Sequence, residues 1–373
     1  MGGSVAAIVL AAGLSSRMGE FKPLLDMAGM TALERTVTLF RNAGVRDVRV
    51  VTGHRAEDLA PHLGRLGVRA IHNPRYHEGM FASVTTGVGT IGPKVEAFFV
   101  HPVDLPLVRP ATVRRLLDAY YLNSGGIVYP CFRGERGHPP LIAGWLAPEI
   151  LRWGGPGGLQ GILVQWENVA FEAEMADAQV LHDMDTPADY RTLRERAERL
   201  HIPSEAECRV LLDDVFRVET PIVRHGKAVA QVAVRLGEEL NRAGCALDVP
   251  LLGAAGLLHD LARRESDHAR AGARLLREVG FDAVADLVAT HMDIAVDERE
   301  PVAAAEVVYL ADKVVQGVRR VPLEERFRAN VERHAHDPAV IGSIAGRLKS
   351  AQQIQRRLES VLGRPLEEVI GIT

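Results

Sequence analysis

Residues 8–25 read IVLAAGLSSRMGEFKPLL, an apolar run that passes into a loop of small residues and then meets an arginine and a lysine. Residues 5–10 have the continuous apolar character of a buried strand. Beyond Leu10, the residues Ala11, Ala12 and Gly13 carry too little side chain to keep phosphate oxygens away from their backbone N–H groups. Arg17 and Lys22 follow, two cations able to neutralise a triphosphate and a leaving pyrophosphate. The loop lacks the Gly-Lys-Ser/Thr close of a Walker A motif, and it is not the Gly-x-Gly-x-x-Gly turn of dinucleotide folds. A strand-to-helix turn of this kind has no function by itself, so the rest of the chain decides the reading.

Outward from the loop, short β-rich runs alternate with helical ones. Strands are expected over 5–10, 47–51, 70–72, 97–101 and 126–128, with helices over 32–43, 56–66 and 110–121. Such alternation predicts a mostly parallel sheet covered on both faces, with ligands bound beyond the carboxyl ends of its strands. A charged helical run ends near residue 200, and from Glu205 onward nearly everything has helical period. The expected division is therefore 1–200 and 201–373, an α/β domain followed by an all-α one, closed by an amphipathic helix over about 338–362.

Nucleotidyl transfer needs carboxylates for Mg²⁺ beside the triphosphate cradle. Asp104 ends the buried run Phe98-Phe99-Val100-His101-Pro102-Val103-Asp104, which places an acid at the strand end where ligands bind. A second acid comes from His182-Asp183-Met184-Asp185-Thr186-Pro187-Ala188-Asp189, where Thr-Pro is a natural start for a helix. Together with the loop, these segments resemble the molybdenum-cofactor nucleotidyltransferases, whose signature is LAAGxSxRMGxxKxLL and whose later motif is D-[IVM]-[DN]-T-P-x-D. Asn73-Pro74 through Gly79-Met80 to Ser83 resembles that family's NPxxxxGMxxS stretch, and Gly137-His138-Pro139-Pro140-Leu141 resembles its GHPxLF segment.

The resemblance spans about residues 5–190 and implies a Rossmann-like fold. It assigns the nucleotide to Leu10, Ala11, Ala12, Gly13, Arg17, Lys22, Ser83 and Asp104, and catalysis to Arg17, Lys22, Asp104 and Asp185. Mg²⁺ falls to Asp104 and Asp185. Asp183 and Asp189 are left to orient the turn and cap the helix. Leu10-Ala11-Ala12-Gly13 with Glu20-Phe21-Lys22 leans toward CTP among the NTPs, and the implied acceptor is a molybdopterin-type cofactor. One segment departs from the family: Gly154-Gly155-Pro156-Gly157-Gly158-Leu159-Gln160-Gly161 stands where Gly-Asp-x-Gly-x-Arg is usual, without its acid or its arginine. A sugar-phosphate or alcohol-phosphate acceptor is the alternative.

In the second half, His225, His259-Asp260, His291 and Asp312 follow the order H…HD…H…D. Histidine and carboxylate donors together suit Mn, Fe, Co, Ni or Zn. The chain has three His-Asp dipeptides, His182-Asp183, His259-Asp260 and His336-Asp337, so context has to choose among them. Only His259-Asp260 closes an apolar helical run. His225 lies in phase with Val229, Val232, Leu236 and Leu240, and Asp312 is an acid inside an apolar helix, where coordination offsets the cost of burial. This pattern resembles the HD-domain metal-dependent phosphohydrolases. The resemblance implies one or two divalent metals; with two, Asp260 bridges them and His268 joins His291 on the second. Asp260 carries the catalytic role, Lys227, Arg263 and Lys313 are candidate phosphate contacts, and the substrate is a phosphorylated small molecule or nucleotide. A non-catalytic, nucleotide-sensing regulatory module is the rival reading.

Composition sets the frame for both halves. A chain with 47% hydrophobic and 25% charged residues can bury a substantial core. Its net charge of −4 argues against nucleic acid or an anionic membrane as partner. Residues 1–200 are charge-balanced, so the whole deficit lies in the second half. Three widely spaced cysteines, Cys131, Cys208 and Cys245, suit a reducing cytoplasm without disulfides. The apolar start is too short to span a bilayer. The expected macromolecular partners are a second copy of the chain or a molybdoenzyme.

Overall fold

A computed structural model describes residues 4–123, 125–333 and 336–372. Contacts divide the chain into two compact units, Met1–Leu200 and His201–Thr373. No helix among the described residues is long and apolar enough to cross a membrane.

The first unit runs β1 (Ser4–Ala11), α1 (Ala32–Asn42), β2 (Asp47–Thr52), α2 (Ala56–Leu66), β3 (Arg69–His72), α3 (Met80–Val88), β4 (Val95–Pro102), α4 (Pro110–Leu122), β5 (Ile127–Phe132), β6 (Glu135–Arg136), β7 (Leu141–Ala143), α5 (Ala147–Arg152), α6 (Gly158–Val164), β8 (Ala170–Glu174) and α7 (Pro187–Glu198). The strands form one sheet in the order β3-β2-β1-β4-β7-β5-β6, with β8 beside β5. Pairing is parallel along β3-β2-β1-β4 and between β5 and β8. The exceptions are β6 and β7, which run antiparallel to their neighbours. These two- and three-residue strands are too short to carry a period, and the sequence reading missed them, along with β8.

The expected mostly parallel α/β sheet is thus present, and it has a switch point. The chain leaves β1 toward β2 and β3, then returns to β4 on the other side of β1. Ligands bind in the crevice such a reversal opens at the carboxyl strand ends. Leu10 pairs with Pro102 across that point, so the loop after β1 and the residues after β4 emerge side by side. On one face, Ala6, Ile8 and Leu10 pack with Val84 and Val88 of α3 and with Ile150 and Ile162. Gly87 makes that approach possible, because a Cβ there would lie 2.4 Å from a methyl of Ile8.

The second unit is helical: α8 (Glu205–Val210), α9 (Thr220–Arg242), α10 (Val249–Leu258), α11 (His268–Glu278), α12 (Asp282–Thr290), α13 (Ala304–Lys313), a hairpin of β9 (Val315–Gln316) and β10 (Arg319–Arg320), then α14 (Leu323–Arg333), α15 (Pro338–Leu362) and α16 (Leu366–Ile370). Val229, Val232, Leu236 and Leu240 line the buried face of α9, as their spacing requires. Gly226 brings α9 against the end of α10: a Cβ there would stand 2.5 Å from the Leu257 carbonyl oxygen. His225 is thereby carried next to His259, and their ring centroids lie 5.2 Å apart.

Candidate functional sites

The first site is a crevice of about 450 Å³ at the switch point. Leu10, Ala11, Ala12, Gly13, Arg17, Lys22, Ser83 and Asp104 all line it, with Ser15 and Met80 of the two motifs and with Ser16 and Tyr76, which sequence reasoning did not single out. The two ends of the Asn73–Ser83 motif meet, since the Asn73 amide donates to the buried Ser83 hydroxyl at 3.0 Å.

Asp185 reaches the same place from 81 positions beyond Asp104. The Met184 N–H donates to the Asp104 carbonyl at 2.9 Å, which docks the second acidic segment on the first. Thr186 then caps α7 in a reciprocal box with Asp189, with Pro187 opening the helix. Between the carboxylates sits one ammonium: Lys22 Nζ lies 3.1 Å from Asp104 Oδ2 and 2.7 Å from Asp185 Oδ1. Arg17 touches Asp185 from outside at 2.8 Å and is mostly exposed. Burial lowers the Lys22 pKa, but the two carboxylates outweigh it and leave it raised. Two acids sharing one cation are a donor set that fits Mg²⁺, which favours carboxylate oxygens.

The second site gathers ligands from five helical segments. His225 sits near the start of α9, His259 and Asp260 follow α10, His268 opens α11, His291 follows α12, and Asp312 lies in α13. His225, His259 and Asp260 form one potential metal-holding group, and Asp260, His268 and His291 form another. Asp260 belongs to both. Its Oδ2 is 3.6 Å from His259 Nε2, while its Oδ1 is 3.3 Å from His268 Nε2 and 3.6 Å from His291 Nε2. Asp312 Oδ1 lies 3.1 Å from His225 Nε2 and 3.6 Å from His259 Nε2.

The hydrogen bonds fix which nitrogens are available. Nδ1 of His225, His259 and His291 each faces a backbone carbonyl, of Gly317, Gly256 and Val288, at 2.8, 2.8 and 2.6 Å. A carbonyl only accepts, so Nδ1 carries a proton in each ring and Nε2 is the atom turned to the carboxylates; at His225 the hydrogen bond and charge of Asp312 outweigh burial and raise the pKa. In His259 and His291 that buried Nε2 has no hydrogen-bond partner and faces carboxylate oxygens. Lone pair against carboxylate is repulsive unless a cation lies between them. Burial pushes the His259 pKa down to about 4, against the pull of Asp260 and Asp312, so its ring is neutral at physiological pH. Burial raises both carboxyl groups, yet their partners prevail and hold Asp260 and Asp312 well below the ordinary range. Imidazole nitrogens gathered around ionised carboxylates fit a divalent transition metal.

A cavity of about 470 Å³ opens over His225, Asp260 and Asp312. Of the expected phosphate contacts, Arg263 lines it. Lys313 also lines it but is buried, donating to Asp312 at 2.6 Å and to the His291 carbonyl at 3.0 Å, so its charge holds the ligand set in place. Lys227 is exposed and lies outside the lining, because it falls off the buried face of α9 that carries His225. The reading missed Arg326, Arg333 and Arg347, which line the cavity from α14 and α15. No motif marks them. The other His-Asp dipeptides take no part in either group among the described residues: His182 and Asp183 are exposed, and Asp337 caps α15.

Against known families, residues 7–169 match the MobA-like NTP transferase domain and residues 222–316 match the HD domain. The first half thus carries a MobA-like NTP transferase domain and the second an HD domain. It is 29% identical over 196 residues to the molybdenum cofactor cytidylyltransferase of Escherichia coli (strain K12), covering 52% of this chain and 97% of that protein. It is 40% identical over 117 residues to the molybdenum cofactor guanylyltransferase of Xanthomonas euvesicatoria pv. vesicatoria, covering 30% and 52%. Among solved structures, a nucleotidyl transferase from Methanothermobacter thermautotroptrophicus is 27% identical, with a TM-score of 0.47 over 53% of this chain and 99% of that one. Arg326, Arg333 and Arg347 fall beyond the residues matched to the HD domain.

Proposed function

We propose that residues 1–200 transfer CMP from CTP to a molybdopterin-type cofactor, releasing pyrophosphate, and that residues 201–373 are a metal-dependent phosphohydrolase. The observation carrying the first reading is the convergence of Asp104 and Asp185 on one cation beside the Ala11–Gly13 loop. Backbone N–H groups of the loop receive phosphate oxygens, while Arg17 and Lys22 draw negative charge toward the departing pyrophosphate. A phosphate oxygen of the acceptor attacks the α-phosphorus, and the bond to the bridging oxygen of pyrophosphate breaks. Asp104 and Asp185 would hold Mg²⁺, which would supply neutralisation of the triphosphate. The Leu10-Ala11-Ala12-Gly13 loop and a relative named as a cytidylyltransferase support CTP.

In the helical half, His225, His259, Asp260 and Asp312 would hold one metal and Asp260, His268 and His291 a second. Bound metal lowers the pKa of water and so supplies a nucleophile at neutral pH. Water adds to phosphorus, the ester P–O bond breaks, and the alcohol leaves with a proton. Arg263 stands beside Asp260 to meet phosphate oxygens. The lone pairs turned toward carboxylates carry this reading. Three free thiols, none in a disulfide among the described residues, suit the cytoplasm.

The absent acid and arginine at 154–161 favour a second reading of the acceptor, as a sugar phosphate or alcohol phosphate. The whole chain with Mg²⁺ and each NTP is offered molybdopterin or those acceptors, and pyrophosphate is measured. Release with CTP and molybdopterin supports the main proposal; release only with the other acceptors overturns it. Phosphate release from a phosphoester panel tests the second half, and a metal-loaded chain that cleaves none of them points to a sensing module.

A further inference from the structure

The metal constellation forms only one wall of the helical unit's cavity. Another part of its lining comes from α14 and α15. Arg326, Asn330 and Arg333 stand four and three residues apart on α14, which sets them on one face, and all three line the cavity. Phe327 is on the same side and buried. Arg347 joins them from α15, where Val340 and Ile344 add apolar surface.

Charge and spacing define what fits between the walls. Arg263, Lys313, Arg326, Arg333 and Arg347 face the cavity against only Asp260 and Asp312, so cations outnumber carboxylates even before any metal is added. The cations differ in their distance from the ligand set. Arg326 is beside it, with one guanidinium nitrogen 3.3 Å from Asp312 Oδ1 and the other held by the Val315 carbonyl. Arg333 lies two helical turns further along, about 10 Å at 1.5 Å per residue. Arg347 makes a two-point ion pair with Asp293, at 2.9 and 3.0 Å. A single phosphate at the metal meets Arg326 and Arg263 and leaves Arg333 beyond its reach, while Arg347 is anchored on Asp293. Phe327, Met292, Val340 and Ile344 line the cavity as well, a surface suited to an organic body.

We propose that α14 and the start of α15 are the substrate-reading wall of this domain, and that they select a small organic molecule with two separated anionic groups. The reacting phosphate lies at the metal under Arg326, and the second anion lies at Arg333 and Arg347. This assignment rests on the phosphohydrolase reading for what happens at the first phosphate, but not for binding itself.

The test uses the full chain dialysed against Mn²⁺, with calorimetric affinities for p-nitrophenyl phosphate, AMP, ADP and adenosine 3′,5′-bisphosphate and parallel assays of phosphate release. Adenosine 3′,5′-bisphosphate, whose two anions are separated, binds at least tenfold more tightly than either monoester. Arg333→Gln, on an exposed position that leaves the fold intact, shrinks that ratio at least fivefold, and Arg347→Gln does the same. A wild-type ratio near one, or a ratio that Arg333→Gln leaves unaltered, overturns the assignment. Preferential binding without turnover removes the phosphohydrolase reading and keeps this one; turnover of monoesters without preference does the reverse.

Discussion

Lys22 and Asp185 are joined at 2.7 Å across 163 positions of sequence, and the same ammonium lies 3.1 Å from Asp104. The lysine therefore does the work of a cation between two acids that would otherwise repel each other. Removing it has two consequences. Lys22→Met leaves the carboxylates facing each other, so added MgCl₂ raises the melting temperature of the variant more than that of the parent. The variant also loses charge on the leaving pyrophosphate, and kcat falls by about 100-fold or more. Equal Mg²⁺-dependent thermal shifts in the two proteins would count against a shared cation site.

Asp104→Ala separates the two chemistries. Asp104 borders the crevice after β4, whereas the second ligand set lies wholly within the helical unit. Pyrophosphate release from NTP is therefore abolished in the variant, while phosphate release from phosphoesters continues at the parental rate. Loss of both activities together contradicts two independent sites.

Much of this was legible in the sequence because the decisive residues sit at the ends of regular elements. The strand over 5–10 appears as Ser4–Ala11, the helix over 56–66 as Ala56–Leu66, and the closing helix over 338–362 as Pro338–Leu362. A ligand at the end of an apolar run, such as Asp104 or His259, is visible because the run is visible. The missed features lack that frame. Leu141–Ala143 is three residues long and joins the sheet only through β4 and β5. Arg326 and Arg333 lie on a charged helix whose exposed and cavity faces read alike, and only the fold distinguishes them. Lys227 was misjudged for the same reason, being next to His225 in sequence but turned away from its face of the helix.

The ion pair of Arg347 with Asp293 gives a pH signature. Hydrogen bonds from Arg347 lower the Asp293 pKa, against a smaller opposing effect of burial, so it lies below the ordinary 3.8 in the folded chain. A group depressed on folding stabilises the protein above its unfolded pKa, and that contribution disappears as pH falls through the folded value. Asp293 is largely exposed, which limits the pair to about 0.5 kcal/mol. Asp293→Asn should thus lower the urea midpoint of the helical unit slightly at pH 7, with the gap from the parent closing toward pH 3. A gap that widens on acidification would show that the stabilisation comes from elsewhere.

Metal stoichiometry discriminates best among the helical residues, because Asp260 alone presents separate oxygens to both groups of histidines. His268 touches only the Oδ1 side, where Arg263 also approaches its Nε2 at 3.1 Å. His225 and Asp312 meet on the other side, at 3.1 Å. If two ions are held, His268→Ala releases one and leaves the other bound between His225, His259 and Asp312. Asp260→Ala removes the shared ligand and releases both. Elemental analysis after dialysis should then give about two ions per chain for the parent, one for His268→Ala and none for Asp260→Ala. Chelation of the parent should lower the melting transition of the helical unit, since it returns the His259 and His291 lone pairs to face carboxylates with nothing between. One ion in the parent that His268→Ala leaves in place would reduce the centre to a single metal, with His268 serving only to orient Asp260.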